Sequence, residues 1–175
     1  MKQLIGNLNH TMEKNSHLKY EEVHSRLLEW LNNFVEVEHP GLGGWAPCPY
    51  ARQARLTNRI HIVIDNPTNV ADYESFLSDF DVVVLCFDPE QYSSDQITKF
   101  TQHINTLLED RDVVVLEDHP DIPEYINGVQ MNFGFCGLLL MQRASKLKTA
   151  SDQLRRAGYY NVWNDQELDE VVNWR

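Results

Sequence analysis

The stretch Trp45-Ala-Pro-Cys-Pro-Tyr-Ala-Arg-Gln-Ala-Arg55 holds a thiol flanked by prolines and followed by arginines. Proline is favoured at the first position of a helix, so Pro49 predicts a short helix over 49–57 with Cys48 as its N-cap. A sulfur there faces unpaired backbone N–H groups and the positive end of the helix dipole, both of which favour thiolate. The local charge agrees: between Gly41 and Ile64 stand Arg52, Arg55 and Arg59 and no acid. This pattern suits a nucleophilic or redox thiol at Cys48, with Arg52 and Arg55 holding the carboxylate or phosphate of a small anionic substrate. Trp45 and Tyr50, on either side of the thiol, are candidate walls of the substrate pocket.

A second set of chemical groups ends the predicted strands. Asp65-Asn66-Pro67, Asp88-Pro89-Glu90 and Glu117-Asp118-His119-Pro120-Asp121 each place acids and a proline directly after an apolar run. Open parallel sheets bind ligands outside the carboxyl ends of their strands. If the strands are neighbours, Asp65, Asp88, Asp118 and His119 converge on one crevice, a set that suits a divalent metal cofactor or general acid–base work. Asp and Pro are also ordinary residues of sharp loops, and no His-Glu-x-x-His spacing is present. His119-Pro-Asp121 resembles the first half of the two-His-one-carboxylate triad of non-haem iron enzymes. No histidine follows Asp121, so a distal ligand would have to come from upstream. The two sets form one site if the helix, about 13 Å long, packs antiparallel to the strand after it. Cys48 then lies beside Asp65 and the Asp118–His119 pair, which serves as base.

The elements that must position these groups show in the hydrophobic periodicity. Tyr20, Val23, Leu27, Trp30, Leu31 and Phe34 form one helical stripe, ending near His39-Pro40. Ile60–Ile64, Val82–Phe87 and Val113–Leu116 predict buried strands, separated by helices over Asn69–Phe80 and Ser94–Glu109. This alternation predicts right-handed crossovers and three parallel strands. Asn127-Gly128 predicts a hairpin turn, Phe135–Met141 a strand, Ala144–Ala157 a helix stopped by Gly158, and Tyr159–Trp163 a last short strand. Asn164 with Glu167 opens a final helix as a capping box. The expected fold is α/β, a mixed but mainly parallel sheet of four to five strands flanked by helices. A polar lead-in over 1–17 precedes one domain over 18–175.

With 175 residues, 42% hydrophobic, the chain has the length of one domain and enough apolar side chains for a core. The net charge of −11 excludes a protein that grips phosphate backbones over its whole surface. That charge divides unevenly, +3 around Cys48 and −14 over the rest. Three widely spaced cysteines, Cys48, Cys86 and Cys136, argue against a disulfide-stapled secreted domain. The start lacks the apolar core of a signal peptide, and no apolar run approaches bilayer length. The expectation is a reduced, cytoplasmic protein that contacts neither nucleic acid nor membrane. Cys86 and Cys136, inside apolar runs, are expected to be structural.

Cys48-Pro49-Tyr50-Ala51 resembles the Cys-Pro-Tyr-Cys box of glutaredoxins with the second cysteine replaced. A helix and a glycine loop precede it, however, where that family has a strand, and its Thr-Val-Pro and Gly-Gly elements are missing; the family is excluded. A longer likeness is to a bacterial family of uncharacterised function. That family has a helix, then Cys-Pro-Phe-Ala, a basic stretch, an apolar strand, a central helix and a later His-Pro. The order here is similar over about residues 20–120: the Trp30 helix, Cys48–Ala51, Arg52 to Arg59, Ile60–Ile64 and His119-Pro120. The resemblance implies an enzyme-like site and supplies no activity. Three functions follow from the residues: an enzyme-like protein acting on an anionic small molecule through Cys48, a non-enzymatic accessory or interaction protein with structural cysteines, or a metal-dependent enzyme using the strand-end acids and His119.

Overall fold

The computed structural model describes residues 17–174; the lead-in expected over 1–17 lies, except for His17, outside the described residues. Helix α1 (Tyr20–Trp30) buries Val23 and Leu27 and runs on into π turns over Leu31–Val35. A short helix α2 (Ala51–Leu56) leads into β1 (Ile60–Ile64). Then follow 3-10 turns over Pro67–Ser78, β2 (Val82–Phe87), α3 (Ser94–Leu108) and β3 (Val113–Asp118). A two-strand hairpin, β4 (Tyr125–Ile126) and β5 (Val129–Gln130), precedes β6 (Gly137–Arg143). Helix α4 (Ala144–Ala157) and helix α5 (Asp165–Leu168), which continues as π turns over Asp169–Asn173, complete the chain.

The main sheet has the order β1-β2-β6-β3. Only β1 and β2 pair in parallel, whereas β6 lies antiparallel between β2 and β3. The expected mainly parallel sheet is therefore corrected: one pair is parallel and two are antiparallel. Because β6 opposes both neighbours, β1, β2 and β3 still run the same way and end at the same edge. One register row crosses that edge as Ile64, Cys86, Leu138 and Asp118.

Alternation along the strands divides the core into two faces. On the first, Val83, Leu85, Phe87, Val113, Val115, Leu139 and Met141 pack under α3 and the 3-10 turns, through Ile97, Ile104, Leu108, Val70 and Leu77. On the second, Val84, Cys86 and Leu138 pack under α1 and its π turns. The ring of Phe87 lies directly over Gly137, its register partner, where any Cβ would overlap it.

Local signals realise several elements as expected. Ser93 with Gln96 and Asn164 with Glu167 form capping boxes at α3 and α5. Helix α4 ends at Gly158 in the left-handed region. Asn127 and Gly128, with φ of 46° and 78°, make the hairpin turn. Two expectations are corrected. The helix over Asn69–Phe80 is wound as 3-10 turns capped by Asn66, and the strand over Tyr159–Trp163 is 3-10 turn. There Tyr159, Tyr160 and Trp163 meet ring to ring, with centroids 4.9–5.7 Å apart. A strand would send successive rings to opposite sides.

Candidate functional site

The thiol region is built differently from its sequence signature. Helix α2 has Tyr50, not Cys48, as its N-cap and is six residues long. Cys48 is exposed, and its N–H donates to Val35 O. Arg55 is committed to Glu36 by two parallel bonds, Nε to Oε1 at 2.7 Å and Nη2 to Oε2 at 2.8 Å. Tyr50 donates its hydroxyl to Gln153 Oε1 at 3.0 Å, fastening α2 to α4. Trp45 packs edge-on against Tyr159, 5.8 Å between centroids, and Tyr159 donates to Pro47 O at 2.6 Å. Of the residues expected to bind an anion here, Arg52 alone is exposed with no ion pair among the described residues.

His119 lies elsewhere. Its ring is almost fully buried beside Phe87, 6.1 Å between centroids. Nδ1 accepts from Asp121 N–H at 3.2 Å, so Nε2 carries the proton and donates to Tyr92 O at 2.9 Å. Phe87 and Tyr92 belong to the first face of the sheet, while Val35, the neighbour of Cys48, belongs to the second. The neighbours of the imidazole and those of the thiol thus belong to opposite faces of the sheet.

The strand-end acids are likewise occupied by their own loops. Asp65 accepts from Asn66 N–H, Asn69 Nδ2 and the Tyr73 hydroxyl, at 2.7, 3.0 and 2.7 Å. Burial and this carboxylate push the Tyr73 hydroxyl up to about 12. Asp88 accepts from Glu90 N–H and Gln91 Nε2. Asp118 accepts from Asn132 Nδ2 at 3.0 Å and Phe133 N–H at 2.8 Å. No group of three or more His, Cys, Asp or Glu side chains among the described residues is placed to hold a metal ion. Asp65, Asp88, Asp118 and His119, expected as one ligand set, each bond to partners of their own. The acids share an edge of the sheet but turn into separate loops.

A groove that no sequence motif announced runs along the outer edge of β3. Its volume is about 840 Å³, and it wraps from Val114 and Leu116 on the second face to Thr98, Thr101 and Asn105 of α3. Helix α1 reaches it only through Trp30, and Trp174 lines it from the C-terminal turns. Among the described residues its lining has five acids, Glu109, Glu117, Asp118, Glu124 and Glu170, and no Lys, Arg or His. At its middle, Asn105 clamps the strand edge: Oδ1 accepts from Val115 N–H and Nδ2 donates to Val115 O, both at 2.8 Å.

The electrostatics of the groove are those of crowded carboxylates. Burial raises Asp118 above the usual carboxylate range, against the lowering effect of its bonds from Phe133 and Asn132. Glu124 is pushed up to about 7 by loss of water and then by the charges of Asp118, Glu117 and Glu170. Its side chain still meets solvent, so the three neighbouring acids are the part of that cause the geometry supports most directly. Glu117 accepts from the Thr98 hydroxyl at 2.7 Å through Oε1, while its buried Oε2 has no partner among the described residues. Thr101, 6% exposed, also lacks a partner for its hydroxyl. A carboxyl that titrates near neutrality can give or take a proton at physiological pH. The only sequence signal for this site was the density of acids from Glu117 to Glu124; Trp30, Thr101, Glu170 and Trp174 arrive from distant segments.

Cys86 and Cys136 are fully buried, and no cysteine forms a disulfide. They share the second face, Cys86 lying diagonal to Cys136 across the β2–β6 ladder. The hydrogen bond that the Cys136 S–H gives to Cys86, together with burial, pushes the Cys136 thiol well above its usual range. This suits structural thiols rather than nucleophiles.

A four-stranded mixed sheet, helices over both faces and an acid-lined groove on an open edge place the protein in the mixed α/β class. No family model, no curated protein and no solved structure matches the chain.

Proposed function

We propose that residues 18–175 form one α/β domain that binds a small polar molecule in the groove along β3, with Glu124 placed to exchange a proton with it. The groove carries this reading: about 840 Å³, two tryptophans, and side-chain oxygens of Glu117 and Thr101 without a partner among the described residues. Binding sites are characteristically concave, largely apolar and furnished with a few convergent polar groups. Three cysteines without a disulfide support a reducing compartment, the cytoplasm. Kinship with the Cys-Pro-Phe-Ala family is also proposed, supported by the order of α1, Cys48–Ala51, β1 and His119-Pro120. It supplies no chemistry.

Mapping a library of small polar fragments by amide chemical shifts tests the reading. Shifts gathered on Thr98–Glu109, β3 and Trp174 are expected. Shifts gathered instead around Cys48 and Arg52 would overturn it and restore the thiol as the site. One observation keeps that second reading in view: Cys48 and Arg52 are both exposed, within a stretch that has no acid.

A further inference from the structure

We propose that the ligand of the β3 groove is a linear polyamine, its ammonium groups held by the acids at the two ends and its methylene chain lying along the apolar middle. The inference rests on the groove being the site and adds the class of molecule that occupies it.

Three features of the groove point the same way. Five carboxylates line it and no Lys, Arg or His among the described residues does, while Asp65 and Asp88 are satisfied by their own loops. The acids are also separated. Glu109 stands at the Val113 end of β3, and Glu117, Asp118, Glu124 and Glu170 gather at the other. From Val113 to Asp118 the strand rises about 16 Å, with Val114, Leu116 and Leu140 between the two acidic ends. A compact monovalent amine would satisfy one end only, whereas a polyamine spans both and buries its hydrocarbon on the way.

The second, independent observation is Thr101. Its side chain is buried and lines the groove, and its hydroxyl has no partner among the described residues. A buried hydroxyl without a partner is costly. Its oxygen can accept from an ammonium N–H, as can the equally unmet Oε2 of Glu117. Trp30 and Trp174 line the groove as well, and indole rings attract cations. The net charge of −11 steers a polycation toward the protein, whereas the groove decides where it stays.

The test is calorimetric titration of the whole chain with spermine at about 0.15 M salt, where exposed charges are largely screened, with butylamine and magnesium chloride as controls. Spermine is expected to bind with amide shifts on β3 and α3 and a change in tryptophan fluorescence. Butylamine should bind at least tenfold more weakly, and magnesium at equal charge should fail to displace spermine. The double variant Glu117→Gln, Glu124→Gln should lose about tenfold or more in affinity. Thr101→Val gives the sharper readout. It removes an unmet hydroxyl and should leave the protein as stable or more so, yet weaken spermine several-fold. Displacement by magnesium, or equal affinity in the Gln double variant, would show only bulk charge attraction and overturn the proposal. If spermine fails while the fragments still map to β3 and α3, the ligand class is wrong and the site stands. If fragments and spermine both avoid the groove, the site falls as well.

Discussion

Replacing Glu124 by glutamine removes one of four crowded carboxylates while keeping its shape. The fold holds this carboxyl at about 7 against an ordinary 4.5, with Asp118 and Glu117 of β3 and Glu170 of the C-terminal turns as its charged neighbours. Between those pH values the folded protein binds a proton that the unfolded chain has released. Stability therefore falls as pH rises through that window and levels off above about 7. Taken whole, a shift of that size would be worth more than 3 kcal/mol. Glu124 meets solvent, however, and screening leaves about 1 kcal/mol. In a chain of this length that is roughly 2–4 °C in Tm. Thermal melts from pH 4.5 to 8.5 should show the wild type and Glu124→Gln coinciding at the acid end, with the variant melting higher by that amount at pH 8. Asp118, raised by burial, leaves a slope of the same sign in both proteins. A variant that melts at or below the wild type at pH 8, or a gap that does not change with pH, would refute the reasoning.

Other consequences follow from single contacts. Asn105→Ala removes both bonds to the buried Val115 backbone and should cost about 1–3 kcal/mol in denaturant unfolding. By opening the strand edge it should also increase self-association in sedimentation. Gly137→Ala drives a methyl into the Phe87 ring and should cost about 1–3 kcal/mol; Phe87→Leu in the same chain should recover part of that loss. Iodoacetamide on the native protein should label Cys48 quickly and Cys86 and Cys136 only after unfolding, since the first is exposed and the others fully buried. Mass spectrometry of the labelled peptides checks this.

Features that depend on neighbours in sequence were legible. The Asn127-Gly128 turn, the helix from Ala144 to Gly158 and the Asn164–Glu167 box each draw their signal from a few adjacent residues, and each stands where that signal put it. Strand order was not legible, because the apolar run that becomes β6 carries no mark of direction or partner. The insertion of β6 is settled by packing across the whole sheet. The thiol signature misled for a related reason. Arg55 has its partner in Glu36, 19 residues earlier, and Tyr50 has its partner in Gln153, 103 residues later. The groove was hard to see because its residues come from separate segments, from Trp30 to Trp174, that only the folded chain brings together.

The place of β6 also sets an order of events during synthesis. When the ribosome has released the chain as far as Asp118, β1 and β2 can pair, but β3 has no hydrogen-bonding neighbour until β6 arrives between it and β2. A fragment ending anywhere before residue 137 would therefore carry β3 with the edge that β6 covers left open, a form prone to aggregation. The chain from Gly137 onward thus does more than extend the sheet. It joins the two halves, and the wall of the groove comes into being in the same step.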